Sequence, residues 1–315
     1  MNYAPVLIPT VNRYIHFRRC IESLSQCTWA DRTDVYVAVD FPPSEKYWEG
    51  YNKIKDYLNK CGDLGFKSLN VVYRETNYFY SRRGNLKSLR DEVLKKFDRY
   101  IATEDDNVFS PNFLVFMNKG LEKFEGDHTV LAINAYRHFY PVKFDSNTFF
   151  RQNVDFSAWG YATWKNRVDE YMSGIPSIYF QKKLTLKNFL KVLKNGNNRA
   201  INFLQRSTDG RTAGDDTTLS VLMPLEDLDV IMPYESLVRN MGWDGSGEHC
   251  QESDSELAIM HNNQTISSEY DFDFVGSGYE CYRENKQIYV KYSYGKQSLI
   301  SLLKNILIYI KKRYT

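Results

Sequence analysis

The feature that most constrains this chain is a regular alternation over its first 135 residues. Ala4–Ile8, Val35–Val39, Leu69–Tyr73, Tyr100–Thr103 and Val130–Asn134 are short apolar runs of strand length. Amphipathic helical patterns lie between them: Phe17, Cys20, Ile21 and Leu24 recur at i, i+3, i+4, i+7, and Leu86, Leu89, Val93 and Phe97 follow the same period. Residues 47–58 and 112–124 supply two more helices. Strands alternating with helices predict an α/β fold, with a mainly parallel sheet and helices on both faces. Open sheets of this kind bind ligands outside the carboxyl ends of their strands. The polar residues that follow the strands are Thr10, Asn12 and Arg13, then Asp40, then Glu104, Asp105 and Asp106. They are expected to gather along one edge.

Composition narrows the classes of function. Lys and Arg number 41 against 39 Asp and Glu, a net charge of +2 that gives no support to a protein built to coat nucleic acid. With 43% hydrophobic and 25% charged residues the chain is globular rather than disordered. Its 315 residues allow two domains, yet neither a repeat nor a low-complexity linker divides them, so one unit is expected. Five cysteines, without a Cys-x-x-Cys pair, disfavour a disulfide scaffold and a cysteine zinc site. Neither a secretory leader nor an apolar run of about 18 residues is visible, and a cytoplasmic location is the expectation. Aromatic residues make up 15%, which fits either aromatic-lined grooves or an aromatic core.

Three polar constellations carry the chemistry. Glu104-Asp105-Asp106 sets three like charges at a strand end, where each needs solvent or a cation. A hard divalent cation accepts such oxygen ligands and keeps positions open for phosphate oxygens. The plain alternative is a solvated acidic turn. In the loop Asn240–His249, Gly242, Gly245 and Gly247 permit close backbone approach, and His249, Asp244 and Glu248 are possible ligands or acid/base groups. Asp215 and Asp216 precede a short apolar helix, where an aspartate can cap the helix, take a proton from an attacking hydroxyl, or do both.

Together these residues resemble GT-A-fold glycosyltransferases. The resemblance rests on Ala4–Arg13, the Asp after the second strand, Glu-Asp-Asp after the fourth, the later Gly-Asp-Asp, the aromatic segment Phe156–Arg167 and the loop 240–250. It is strongest to the N-acetylglucosaminyltransferase I-like group and related bacterial sugar transferases, and it covers roughly residues 3–250. It implies a Mn2+- or Mg2+-dependent hexosyl- or N-acetylhexosaminyltransferase acting in bacterial surface polysaccharide synthesis. The donor would be a nucleotide sugar, with UDP expected, and the acceptor a glycan or a lipid-linked saccharide. Asp106 and His249 would hold the metal. Thr10, Asn12, Arg13, Asp40, Arg83, Asn85, Glu104 and Asp105 would contact the nucleotide sugar. Asp216, with Asp215 beside it, would be the base of an inverting reaction. Trp159, Gly160, Tyr161, Trp164 and Asp244 would meet the sugar or acceptor. The implied division is 1–285 as the transferase unit, with a nucleotide-binding half 1–135 and an acceptor-binding half 136–285, and 286–315 as a helical tail. The Glu-Asp-Asp motif departs from the commoner Asp-x-Asp, and the chain shows no anchor and stem of the eukaryotic members.

Two other classes remain. A sugar nucleotidyltransferase would use similar metal chemistry but normally carries a glycine-rich phosphate loop at the first strand, where this chain has Pro9-Thr-Val-Asn-Arg13. A non-catalytic carbohydrate- or cation-binding protein would not bind nucleotides. The C-terminus adds a separate signal. Leu299, Leu302, Leu303, Ile306, Leu307 and Ile310 form a helical apolar stripe beside Lys304, Lys311, Lys312 and Arg313. A helix of this kind over 298–313 can lie on an anionic membrane surface, pack on the protein's own core, or make a dimer contact. The oligomeric state cannot be read from the sequence.

Overall fold

A computed structural model describes residues 2–80, 84–137, 149–195, 200–204, 211–212, 216–246 and 298–314, together with residues 259, 264, 266, 267, 272 and 274. Its first half follows the expected alternation. Strand β1 (Val6–Thr10) leads to helix α1 (Tyr14–Ser25), β2 (Asp34–Val39) to α2 (Trp48–Lys60), and β3 (Ser68–Tyr73) to α3 (Asn85–Val93). Strand β4 (Arg99–Ala102) is followed by the short β5 (Asn107–Phe109), α4 (Phe113–Phe124) and β6 (Val130–Asn134). The apolar positions that set the period of α1 are the ones it buries: Phe17, Cys20, Ile21 and Leu24.

Further along lie β7 (Phe149–Gln152), β8 (Tyr161–Trp164), β9 (Ile175–Pro176), β10 (Arg211–Thr212), β11 (Asp229–Pro233) and β12 (Val238–Asn240). The main sheet has eight strands in the order β3-β2-β1-β4-β8-β6-β11-β7. Strands β1, β2, β3 and β4 are parallel, as are β6 and β11. Strand β8 runs antiparallel between β4 and β6, and β7 is antiparallel at the edge beside β11. The sheet is mainly parallel, as expected, with antiparallel strands β8 and β7 in its second half.

The two faces of the sheet bury separate cores, as the period-2 alternation of strands requires. Val6 and Ile8 face α1, α2 and α4 in one cluster. Leu7, Ala38, Tyr100 and Ala102 face α3 and the helices Leu186–Lys194 and Asp216–Glu226 in the other. Many of the aromatics fill these cores, including Phe113, Phe116, Phe149, Phe180 and Phe189.

The C-terminal helix Leu299–Tyr314 docks through one side. Tyr309 is buried, stacks on Phe189 at 4.5 Å, and donates its hydroxyl to the Leu184 carbonyl at 2.8 Å. Arg313 donates to the Gln181 carbonyl. The apolar stripe read from the sequence is thus divided: Leu302 packs on the core, whereas Leu299, Leu303, Leu307 and Ile310 are exposed. No helix among the described residues is long and apolar enough to cross a membrane.

Candidate active site

The carboxyl ends of β1 and β4 lie side by side, with Leu7 opposite Ala102, so Thr10 and Arg13 reach the carboxylates that follow β4. Thr10 donates its hydroxyl to Asp105 Oδ2 at 2.7 Å. Arg13 forms a fork: one nitrogen on Asp105 Oδ1, the other on Asp106 Oδ2 at 2.8 Å. The fourth oxygen, Asp106 Oδ1, accepts from Asn240 Nδ2 at 2.7 Å. All four oxygens of the two aspartates are engaged.

Asn240 arrives by a strand pairing. Strand β12 runs antiparallel to β5 and sets Asn240 opposite Asn107, directly after the acidic triplet. Met241 N–H then donates to the Asp106 carbonyl at 2.8 Å, and Gly242 N–H to Asn240 Oδ1 at 3.0 Å. Here the glycine is required by space: a Cβ on Gly242 would stand 2.2 Å from Asp106 Oδ2. The loop continues to Asp244, which meets His16 Nε2 at 2.9 Å and accepts from Ser246 N–H at 3.0 Å. Burial alone would raise the Asp244 carboxyl, but bonds from Ser246 and the His16 ring outweigh it and hold the group below its ordinary value. His16 lies one helical turn beyond Arg13, the N-cap residue of α1, and its ring acts electrostatically on Asp106.

Electrostatics mark the spot as short of positive charge. Burial pushes the Glu104 carboxyl up to about 8, and Asp106, Asp216 and Asp105 push the same way against Arg13. Asp106 is also raised, by burial first and then Asp105, although Arg13 and His16 oppose it. Asp216 is exposed at the first residue of the helix Asp216–Glu226, within electrostatic reach of Glu104 and Tyr161. That helix is tied down locally: Ser220 Oγ donates to the Asp216 carbonyl at 2.6 Å and accepts from Phe156 N–H at 3.0 Å.

The remaining expected site residues divide into groups. Tyr161 pairs with Ala102 and Asn134 at the same sheet edge and shares a 3.1 Å hydroxyl contact with Tyr100. Gly160, at φ +86°, packs against Val238 and Phe113, where a side chain would crowd the join between β8 and β12. Trp159 is half-buried, edge-on to Tyr136 at 4.6 Å and to Trp243 at 6.3 Å. Trp164 requires a correction: it is buried at the far end of β8, its indole N–H donates to the Leu121 carbonyl at 3.2 Å, and Arg167 covers its ring, so it offers no face to a sugar. Asp40 accepts the backbone N–H groups of Phe41, Tyr78 and Phe79 and so shapes the loop after β3. Asn85 is buried between the Ala38 carbonyl and Arg74. The Asn12 carbonyl abuts Gly50, where a Cβ would stand 1.8 Å from its oxygen. Arg83, Asp215 and His249 lie outside the described residues.

Two contributors were not identified from the sequence. His16 carries a weak signal, its i+3 spacing from Arg13. Asn240 opens the glycine-rich loop singled out in the sequence, but only the β5–β12 pairing makes it a partner of Asp106.

The parallel β1–β4 core, the inserted β8, the acidic turn after β4 and the small β5–β12 sheet beneath it make up a mixed α/β architecture with helices on both faces and an exposed C-terminal helix, a GT-A-like Rossmann fold. No protein-family model and no curated protein sequence matches the chain. Solved structures do. The S. aureus protein TarS matches at 14% identity and TM-score 0.35, over 54% of this chain and 29% of that one. Its 1–349 fragment matches at 11% identity and TM-score 0.41, over 99% and 81%. The Pyrobaculum calidifontis mannosyltransferase PcManGT, in complex with GDP-Man and Mn2+, matches at 12% identity and TM-score 0.39, over 71% and 70%. The match thus covers less than a third of that TarS chain.

Proposed function

We propose that this protein transfers a sugar from a nucleotide-sugar donor to a hydroxyl of a glycan or lipid-linked saccharide, with inversion. The observation that carries this reading is the joined edge of the sheet, where an acidic triplet, Arg13, the Asn240–Ser246 loop and the exposed Asp216 come together. UDP is the expected nucleotide, and a hexose or N-acetylhexosamine the expected sugar. The reading treats 1–285 as one transferase unit with a donor half (1–135) and an acceptor half (136–285). A lipid-linked acceptor would place the reaction at the cytoplasmic face of a membrane.

Among the described residues, no group of three or more His, Cys, Asp and Glu side chains is arranged to hold a metal ion. The charge balance nevertheless fits one. Three adjacent carboxylates face a single guanidinium, and two of them are raised. Asp106 would hold a Mn2+ or Mg2+ ion, with His249 its expected companion. Bound there, the ion would neutralise charge on the leaving diphosphate.

The chain's own residues supply the rest. Arg13, released from Asp106, offers its planar fork to phosphate oxygens. Glu104, held near about 8, carries a proton at neutral pH and can donate a hydrogen bond to a ribose or sugar hydroxyl. Asp216, exposed beside it, accepts the proton of the attacking hydroxyl. Trp159 and Trp243 line the acceptor side, where an aromatic edge excludes water from the reacting bond.

Thermal unfolding with UDP, GDP, CDP and dTDP, each with and without Mn(II), tests this on wild type and Asp106→Asn. A ligand that binds only the folded state raises Tm. One nucleotide should give a Mn(II)-dependent rise in the wild type that the variant loses. If no nucleotide shifts the wild type at about millimolar concentration, where even a weak site stabilises measurably, the transferase reading fails.

A further inference from the structure

The C-terminal helix presents an apolar face that its docking leaves uncovered. Leu299, Ile300, Leu303, Leu307, Ile310 and Tyr314 are all exposed, Ile300 at 79% and Leu307 at 68%. At the α-helical rotation of about 100° per residue, these six positions fall within an arc of about 100°. Tyr309, which anchors the helix on Phe189 and Leu184, points to the opposite side. Lys311 and Lys304 come next around the helix, directly beyond one edge of the apolar arc.

Basic residues predominate on this helix and on the two it docks against. Residues 298–314 contain Lys304, Lys311, Lys312 and Arg313 and no acidic residue. Residues 177–194, which include the helices against which Tyr309 and Arg313 dock, contain Lys182, Lys183, Lys187, Lys191 and Lys194 and again no acidic residue. Of these, Lys183 and Lys191 pair with Glu226 and Asp227. The same two helices add the exposed apolar side chains Ile178 and Leu186.

We infer that this face lies on an anionic lipid bilayer, with the apolar arc at the acyl boundary and the lysines at the headgroups. Apolar burial and basic attraction are the two signals that stable surface binding needs. Lysines at the edge of an apolar arc can extend their stems along it and reach phosphate with the ammonium. A second copy fits the face less well, because a two-fold contact would set one basic row against its equal. The face is separate from the acidic triplet, and the inference does not depend on the transfer reaction.

Flotation of the full chain with vesicles tests it. Phosphatidylcholine vesicles containing phosphatidylglycerol should carry the wild type upward, and pure phosphatidylcholine vesicles or high salt should weaken the effect. The double variant Leu303→Gln/Leu307→Gln should lose binding at least about tenfold, as removal of two inserted side chains requires. Lys304→Glu/Lys311→Glu should lose the preference for anionic lipid. Both changes lie on the exposed side, and unfolding curves matching the wild type would show that the body is intact. The inference is overturned if the wild type stays at the bottom with anionic vesicles. It is equally overturned if the variants float as well as the wild type, or if the wild type is a dimer that Leu303→Gln/Leu307→Gln converts to a monomer. Because no nucleotide or acceptor is present, failure here leaves the nucleotide-dependent Tm shift standing, and failure of that shift leaves flotation standing.

Discussion

Replacing Glu104 with Gln should change how stability depends on pH, and the direction is fixed by the site. The unfolded carboxyl titrates near 4.5, whereas in the fold burial, then Asp106, Asp216 and Asp105, carry it to about 8. Below 4.5 the group is protonated in both states and contributes nothing to the balance. Between the two values folding requires proton uptake, and above about 8 the fold holds an ionised carboxylate among three others. Wild-type stability therefore falls as pH rises through this window. At about 1.4 kcal/mol per pH unit the full penalty approaches 5 kcal/mol, and sharing of the proton with Asp106 makes roughly 3–5 kcal/mol the working figure. The amide of Gln keeps the shape and removes the charge. Urea unfolding of both proteins between pH 5 and 8.5 reads the effect as a difference. Glu104→Gln should match or fall slightly below the wild type at the acid end and exceed it by several kcal/mol at the alkaline end. If the difference stays constant within about 0.5 kcal/mol, the ordinary scatter of a surface change, then Glu104 is not held neutral and the account of the acidic triplet is wrong.

Other expectations follow from single contacts. Gly242→Ala puts a methyl 2.2 Å from an Asp106 oxygen already bound to Arg13, so urea unfolding should show a loss of about 1–3 kcal/mol, while Gly126→Ala, with no neighbouring atom within 4 Å, should lose none from crowding. Asp40→Asn removes a charged acceptor shared by three backbone N–H groups and should lower stability by about 2 kcal/mol, with faster amide exchange at Tyr78 and Phe79. Tyr309→Ala deletes a buried ring and its bond to Leu184, a loss of about 3–5 kcal/mol. Limited proteolysis should then release the C-terminal helix before the body unfolds.

The relation between sequence and structure differs along the chain. Strands β1–β4 and β6 and helices α1–α4 were legible because their periodicity is local: each buries its own apolar face on the neighbour that follows it. That order also set Thr10, Arg13, Asp40 and the triplet on the carboxyl edge, since parallel strands joined by helices all end on one side. The C-terminal stripe was legible as amphipathic but not in its orientation. Tyr309, outside the stripe, decides which side is covered.

What the sequence could not specify is which distant edges meet. Strand β8 enters between β4 and β6, and this places Tyr161 at the site edge and Trp164 in the core three residues later. Strand β12 returns to β5 across more than a hundred residues, bringing Asn240 to Asp106 and making Gly242 sterically necessary. Short strands carry little pairing information of their own, because any apolar edge can hydrogen-bond to another. The choice is made by the burial of both cores together. The sequence by itself determined the alternating sheet and the acidic edge. The tertiary structure alone decided which residues surround Asp106, because those contacts exist only once both faces of the sheet are packed.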